Sequence, residues 1–116
     1  MLSLFMSDQN PILNKLLQLL DDNQAIDVKV IDVRKQTTIT DYMIIASGRA
    51  SRHVKAIAQK LMEEMKITGT PAINCTGLET GDWVLIDFSD YIVHVMQPEY
   101  REYYNLEGLW EDHPKD

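Results

Sequence analysis

The chain has 116 residues, 45% of them hydrophobic and 25% charged, which suits one globular domain that buries a core without disulfides or metal. A net charge of −7 excludes nucleic-acid binding driven by the global field, because phosphates repel an acidic domain, and favours a basic partner surface. Cys75, the lone cysteine, excludes an internal disulfide and a cysteine-based zinc cluster, and the absence of a run of about 18 apolar residues or of a signal-peptide pattern in MLSLFMSDQ implies a cytoplasmic protein with no membrane partner.

Residues 1–9 read as a flexible N-terminal tail. Asn10-Pro11 supplies an N-cap and a first-turn proline, and Ile12, Leu13, Leu16, Leu17, Leu19 and Leu20 make a wide apolar stripe, so a helix is expected over 11–22. AIDVKVIDVR (25–34) alternates as a strand with Ile26, Val28 and Val30 on one face. After the polar KQTTITD, the segment DYMIIASG (41–48) has a continuous apolar centre, the pattern of a strand buried on both faces. SGRAS leads into a helix carrying Val54, Ile57, Ala58, Leu61, Met62 and Met65, which Thr68-Gly69-Thr70-Pro71 ends. AINC (72–75) is a short strand, with Cys75 as a small core-facing residue, and TGLETGD is a loop. WVLIDF and YIVHVM form a hairpin around Ser89-Asp90. PEYREYY is a short helix, NLEGLW (105–110) closes the domain, and 111–116 is a C-terminal tail. The order αββαβββα over 10–110 gives a single α/β (α+β) domain, a mixed β-sheet flanked by helices in two or three layers.

A two- or four-residue turn pairs Trp83 with Met96, Leu85 with His94 and Asp87 with Ile92, all on one face. The other face, Val84, Ile86, Phe88, Tyr91, Val93 and Val95, is uniformly apolar and belongs to the core. The mixed face has the composition of an interface centre, though one of the chain's own helices covering it, with Trp83 in the core, fits the pattern equally well. Asp87 is the diagonal neighbour of His94, so a strand histidine held by a carboxylate is expected ahead of a catalytic one.

Signatures of catalysis are absent. His53, His94 and His113 lack metal-ligand spacing, and the five glycines form no dinucleotide or P-loop motif. No nucleophile elbow occurs, and no Asp-x-Asp pair is available for two-metal chemistry. No catalytic residue, metal or cofactor is therefore expected. The turn SGRASRH stands apart, because Ser47, Gly48 and Ser51 can present backbone N–H groups to a phosphate beside Arg49, Arg52, His53 and Lys55. Cations at a helix N-terminus oppose the macrodipole, which suits an anionic partner; a solvated basic turn is the plainer alternative.

TDYMIIASGRASRHVKAIA and GDWVLIDFSDYIVHVMQPEYREYYNLEGLW together resemble the Iojap-related ribosomal silencing factors (RsfS), a similarity covering nearly all of residues 10–110. The resemblance implies a nucleotidyltransferase-like fold without the catalytic carboxylates. It also implies binding to ribosomal protein fourteen of the large subunit, steric obstruction of subunit joining, and reduced translation under nutrient limitation. The partner-binding residues it points to, with the mixed hairpin face, are Trp83, Asp82, Leu85, His94, Met96, Glu99 and Tyr100. Arg49, Arg52 and Lys55 are then positioned for peripheral rRNA contact, and a homodimer is a form open to the free protein. Thr76 and Asn105 depart from the residues common in the family, Glu before Gly77 and Asp before Leu-Glu. A nucleotide-transferring enzyme and a small RNA-binding module are the competing classes; the first needs a metal-carboxylate site, the second a broader basic face.

Overall fold

Asn10 caps the first helix, its side chain accepting a hydrogen bond from the Leu13 amide at 3.2 Å, and Pro11 occupies the first turn, where no amide donor is needed. The resulting α1 (Pro11–Asp22) buries Leu13, Leu16, Leu17, Leu19 and Leu20 and ends where Asn23 returns its side-chain amide to the Leu19 carbonyl. The computed structural model describes residues 10–111; 1–9, expected as the N-terminal tail, and 112–116, which hold His113 and all of the expected C-terminal tail but Glu111, the last residue of a helix, lie outside the described residues.

The chain continues through β1 (Ile26–Asp32), β2 (Tyr42–Ser47), α2 (Ser51–Ile67), β3 (Asn74–Thr76), β4 (Trp83–Asp87), β5 (Tyr91–Met96), α3 (Pro98–Tyr104) and α4 (Leu106–Glu111). The strands form one mixed sheet in the order β1-β2-β5-β4-β3, in which β2 and β5 run parallel and the other pairs antiparallel. Each expected element is present, and a second C-terminal helix, α4, is added. Its six residues are too few to show helical periodicity in the sequence.

Helices α1 and α2 cover one face of the sheet. Leu16, Leu17, Leu20, Val54, Ile57 and Leu61 pack there against Ile44, Val84, Ile86, Val93 and Val95, all without solvent exposure. Truncating one of the leucines to alanine costs about 2–5 kcal/mol. The opposite face holds a smaller core of Ile31, Val33, Met43, Ile45 and Met96, with Trp83, Tyr100, Leu106 and Trp110 packed against it. Strand β2 is thus buried on both faces, as its continuous apolar centre predicts. The first strand differs from its expected pattern. A bulge between Ile26 and Lys29, with Asp27 at φ +51°, inserts one residue, so Ile26 pairs with Ser47 out of step with Val28 and Val30. Only those two valines join the α1/α2 core. Cys75 is half-buried against the same core.

Candidate functional site: an aromatic shelf beside a basic turn

The hairpin has the register read from its sequence, with Trp83 opposite Met96, Leu85 opposite His94 and Asp87 opposite Ile92. Val84, Ile86, Phe88, Val93 and Val95 are buried on the α1/α2 side, with Tyr91 partly buried there. On the other side Trp83 and Tyr100 sit at the margin of the smaller core. Trp83 is half-buried. One part of its ring closes the core, and the rest meets the Tyr104 ring at a centroid distance of 5.0 Å. Tyr103 stands edge-on to Tyr104, also at 5.0 Å. Tyr103 is 80% exposed and Tyr104 50%. Glu99, Tyr100, Tyr103 and Tyr104 line a shallow groove of about 290 Å³. The outcome lies between the two readings of the mixed face: α3 covers part of it and extends the remainder into an aromatic shelf.

Two residues expected on the partner surface are buried instead. Met96 has no exposure and belongs to the smaller core beside Ile45. His94 is 4% exposed, and its Nδ1 accepts the Trp83 indole N–H at 3.0 Å. Asp87 does not hold His94, because its carboxylate accepts from the Ser89 amide at 2.8 Å and so caps the hairpin turn. Burial pushes the His94 imidazole down to about 4. Leu85 and Asp82 are half-buried, as is Tyr100, and Glu99 is exposed. Asp82 accepts from the Gln97 side chain at 3.0 Å, and its negative charge beside Tyr100 pushes that phenol up.

Sequence reasoning missed Tyr103 and Tyr104. Their signal was present: Tyr100, Tyr103 and Tyr104 follow i, i+3, i+4 spacing, which places aromatics along one side of a short helix. The position of α3 rests on Arg101. Its Nη2 lies 2.8 Å from Glu107 Oε2, and its Nη1 donates to the Ser47 hydroxyl at 3.0 Å, tying α3 to α4 and to the end of β2. Burial raises the Glu107 carboxyl, but the Arg101 hydrogen bond and charge outweigh it and hold the group below its usual value. Asn105, one of the two departures, adopts a left-handed backbone at φ +49° and accepts from the Gly108 amide at 3.2 Å. It therefore caps α4 as an aspartate would. Thr76, the other, is exposed on β3 opposite Leu85.

The basic turn is built differently from the expected phosphate cradle. The Gly48 amide donates to the Met96 carbonyl at 3.1 Å and the Arg49 amide to His53 Nδ1 at 2.9 Å. The Ser47 hydroxyl is taken by Arg101, and His53 Nε2 reaches the Asn23 carbonyl at 3.0 Å. His53 thereby braces the end of α1 against the start of α2. Arg49 and Arg52 remain exposed and Lys55 half-buried. Their location is informative. Gly81, at φ +74°, packs so closely on α2 that a Cβ there would lie 2.6 Å from the Ser51 carbonyl oxygen and 3.0 Å from Lys55 Cγ. Residues Gly81 and Asp82 lead directly into Trp83, so the basic turn and the aromatic shelf share one end of the sheet.

Among the described residues no group of three or more His, Cys, Asp or Glu is arranged to hold a metal ion, and no helix is long and apolar enough to cross a membrane. Residues 6–116 match the family model described as "Ribosomal silencing factor during starvation" (RsfS). The chain is 43% identical over 103 residues to a ribosomal silencing factor RsfS of Zymomonas mobilis, spanning 89% of this chain and 77% of that one. It is 36% identical over 101 residues to the mouse protein named mitochondrial assembly of ribosomal large subunit protein 1, spanning 84% of this chain and 44% of that one. A crystal structure of a Chromobacterium violaceum protein superposes with a TM-score of 0.86 at 35% identity, covering 96% of this chain and 92% of the other. With a family match over almost its whole length and an α+β fold shared with that crystal structure, the chain belongs to the RsfS family of ribosomal silencing factors.

Proposed function

We propose that the protein binds the large ribosomal subunit through the Trp83 shelf, with ribosomal protein fourteen as its principal contact, and blocks subunit joining by occupying that surface. The observation that carries the reading is the shelf itself. Tyr103 and Tyr104 are exposed beside the half-buried Trp83, with Glu99 lining the groove and Asp82 directly before Trp83, a composition suited to anchoring on a basic surface. Lys55, packed beside Gly81, and the exposed Arg52 on the same first turns of α2 would meet rRNA phosphates at the margin of the same contact. The mouse relative's name refers to the large subunit, consistent with that choice of partner. Obstruction is steric in this reading, and no residue acts as a catalyst. Repression would follow nutrient limitation, in line with the starvation named in the family description.

The test is sedimentation of the protein with purified large subunits, followed by light scattering as small subunits are added. Co-sedimentation of the wild type, its loss in Trp83→Glu, and a lowered yield of joined ribosomes are expected. Normal joining on large subunits saturated with the protein would defeat the steric mechanism.

A further inference from the structure

An aromatic anchor at the start of a strand has two side-chain torsions, and its usefulness depends on which rotamer it holds before a partner arrives. Trp83 begins β4, immediately after the Gly77–Asp82 loop, and is half-buried. Its ring packs on the smaller core and between two further rings. His94 lies under it at a ring-centroid distance of 5.9 Å, Tyr104 flanks it at 5.0 Å, and both are tilted by 46° to the indole. Among the described residues, the directional interaction of its indole is the 3.0 Å hydrogen bond from Nε1 to His94 Nδ1. An indole donates and cannot accept, so Nδ1 carries no proton and His94 is the neutral Nε2–H tautomer.

The acceptor is mounted rigidly. His94 pairs with Leu85 of β4 on one side and with Ile45 of β2 on the other, in the middle of the sheet. At 4% exposure it offers almost nothing to a partner directly. A polar residue in that place, facing a core of Ile31, Val33, Met43, Ile45 and Met96, is explained by what it holds. We propose that His94 is a positioning residue that accepts the Trp83 indole N–H and presets the ring against Tyr104, so that the anchor is ordered before the ribosome is met. This inference rests on the reading of Trp83 as the ribosome anchor.

The chain contains two tryptophans, so the indole region of a ¹H–¹⁵N spectrum of the full chain has two resonances, assigned with Trp110→Phe. His94→Leu removes the acceptor; His94→Asn restores an acceptor oxygen close to the Nδ1 position. In His94→Leu the Trp83 indole resonance should move to the position of a free indole and exchange faster with solvent, and affinity for purified large subunits should fall roughly 3- to 10-fold. His94→Asn should restore both. Trp83→Phe keeps a ring beside Tyr104 without a donor and should lose affinity to at least that extent; if His94→Leu fails to give a native melt, His94→Phe, which fills the site with a ring that accepts no hydrogen bond, takes its place with the same expected loss. Wild-type affinity in either His94→Leu or Trp83→Phe overturns the positioning role. So does His94→Asn restoring the indole signal without restoring affinity. If Trp83→Glu itself binds large subunits normally, the anchor reading fails; if Trp83→Glu abolishes binding while His94→Leu binds normally, the positioning role alone fails.

Discussion

Replacing Trp83 with glutamate perturbs two things whose sizes can be separated. Within the domain, the change strips the hydrogen bond from His94, leaving a buried Nδ1 unpaired at a cost of about 1–3 kcal/mol. It also removes the ring contact with Tyr104, which contributes about 0.5–1.5 kcal/mol. Because Trp83 is only half-buried, the new carboxylate can turn to water and avoids full desolvation. The expected loss of about 2–4 kcal/mol leaves a folded protein if the parent has the usual 5–15 kcal/mol or so of stability, and lowers the melting temperature by roughly 10–20 °C. At the ribosome, losing a central aromatic anchor costs about 2 kcal/mol or more, a drop in affinity of at least roughly 30-fold. Circular dichroism melts and co-sedimentation at a temperature well below the transition measure the two effects independently. Leu17→Ala is the control, since it removes a fully buried side chain from the α1/α2 core, costs about 2–5 kcal/mol, and should bind normally while folded. Loss of binding in the folded Leu17→Ala protein, or normal binding by Trp83→Glu, would refute the reasoning.

His94 makes stability depend on pH. Unfolded, it takes a proton near its ordinary value of about 6.5; folded, burial holds it to about 4. The unfolded state therefore binds more protons between those values, and stability present at pH 7 is lost as pH falls through that window, by about 3 kcal/mol in all. Urea titrations at pH 7, 5 and 4 should show the decline in the wild type and a smaller one in His94→Asn; equal slopes would be contrary. Arg52→Glu should melt like the wild type and bind large subunits only modestly more weakly, with a shallower salt dependence. Complete loss of binding in that variant would place the contact centre at the basic turn. Arg101→Ala leaves Glu107 and the Ser47 hydroxyl without their shared partner, so a stability loss of about 2–3 kcal/mol is expected, with faster amide exchange in α3 and α4. Unchanged exchange in both helices would show that Arg101 does not anchor them.

What could be read from the sequence follows physical scale. The hairpin register was legible because side chains alternate with a period of two, and a slip by one would have put Val84, Ile86 and Val93 outside the core. The long α2 was legible from five buried positions spread over its 17 residues. The bulge at Asp27 was not, since an inserted residue changes facing without changing composition. His94 and Met96 were expected on the surface because the hairpin alone does not show how far α3 and α4 reach across it. The interaction that places His94, a bond to the indole of the neighbouring strand, competed with a carboxylate diagonal that looked equally good on paper. Arg49, Arg52 and His53 looked like one basic group, yet only the three-dimensional arrangement shows that His53 spends both ring nitrogens on backbone groups of Arg49 and Asn23.

The bulge has a consequence at the sheet's outer rim. An open sheet ends in two strands whose unpaired amides and carbonyls can template another chain. Here one end is β3, three residues long, and the other is β1, whose regular hydrogen-bond spacing is broken at Asp27. Neither end offers a straight row of donors and acceptors for a second chain to extend. Continuous cross-chain ribbons, and the fibrils that grow from them, are disfavoured at both ends, even though the domain displays tyrosines openly on its surface.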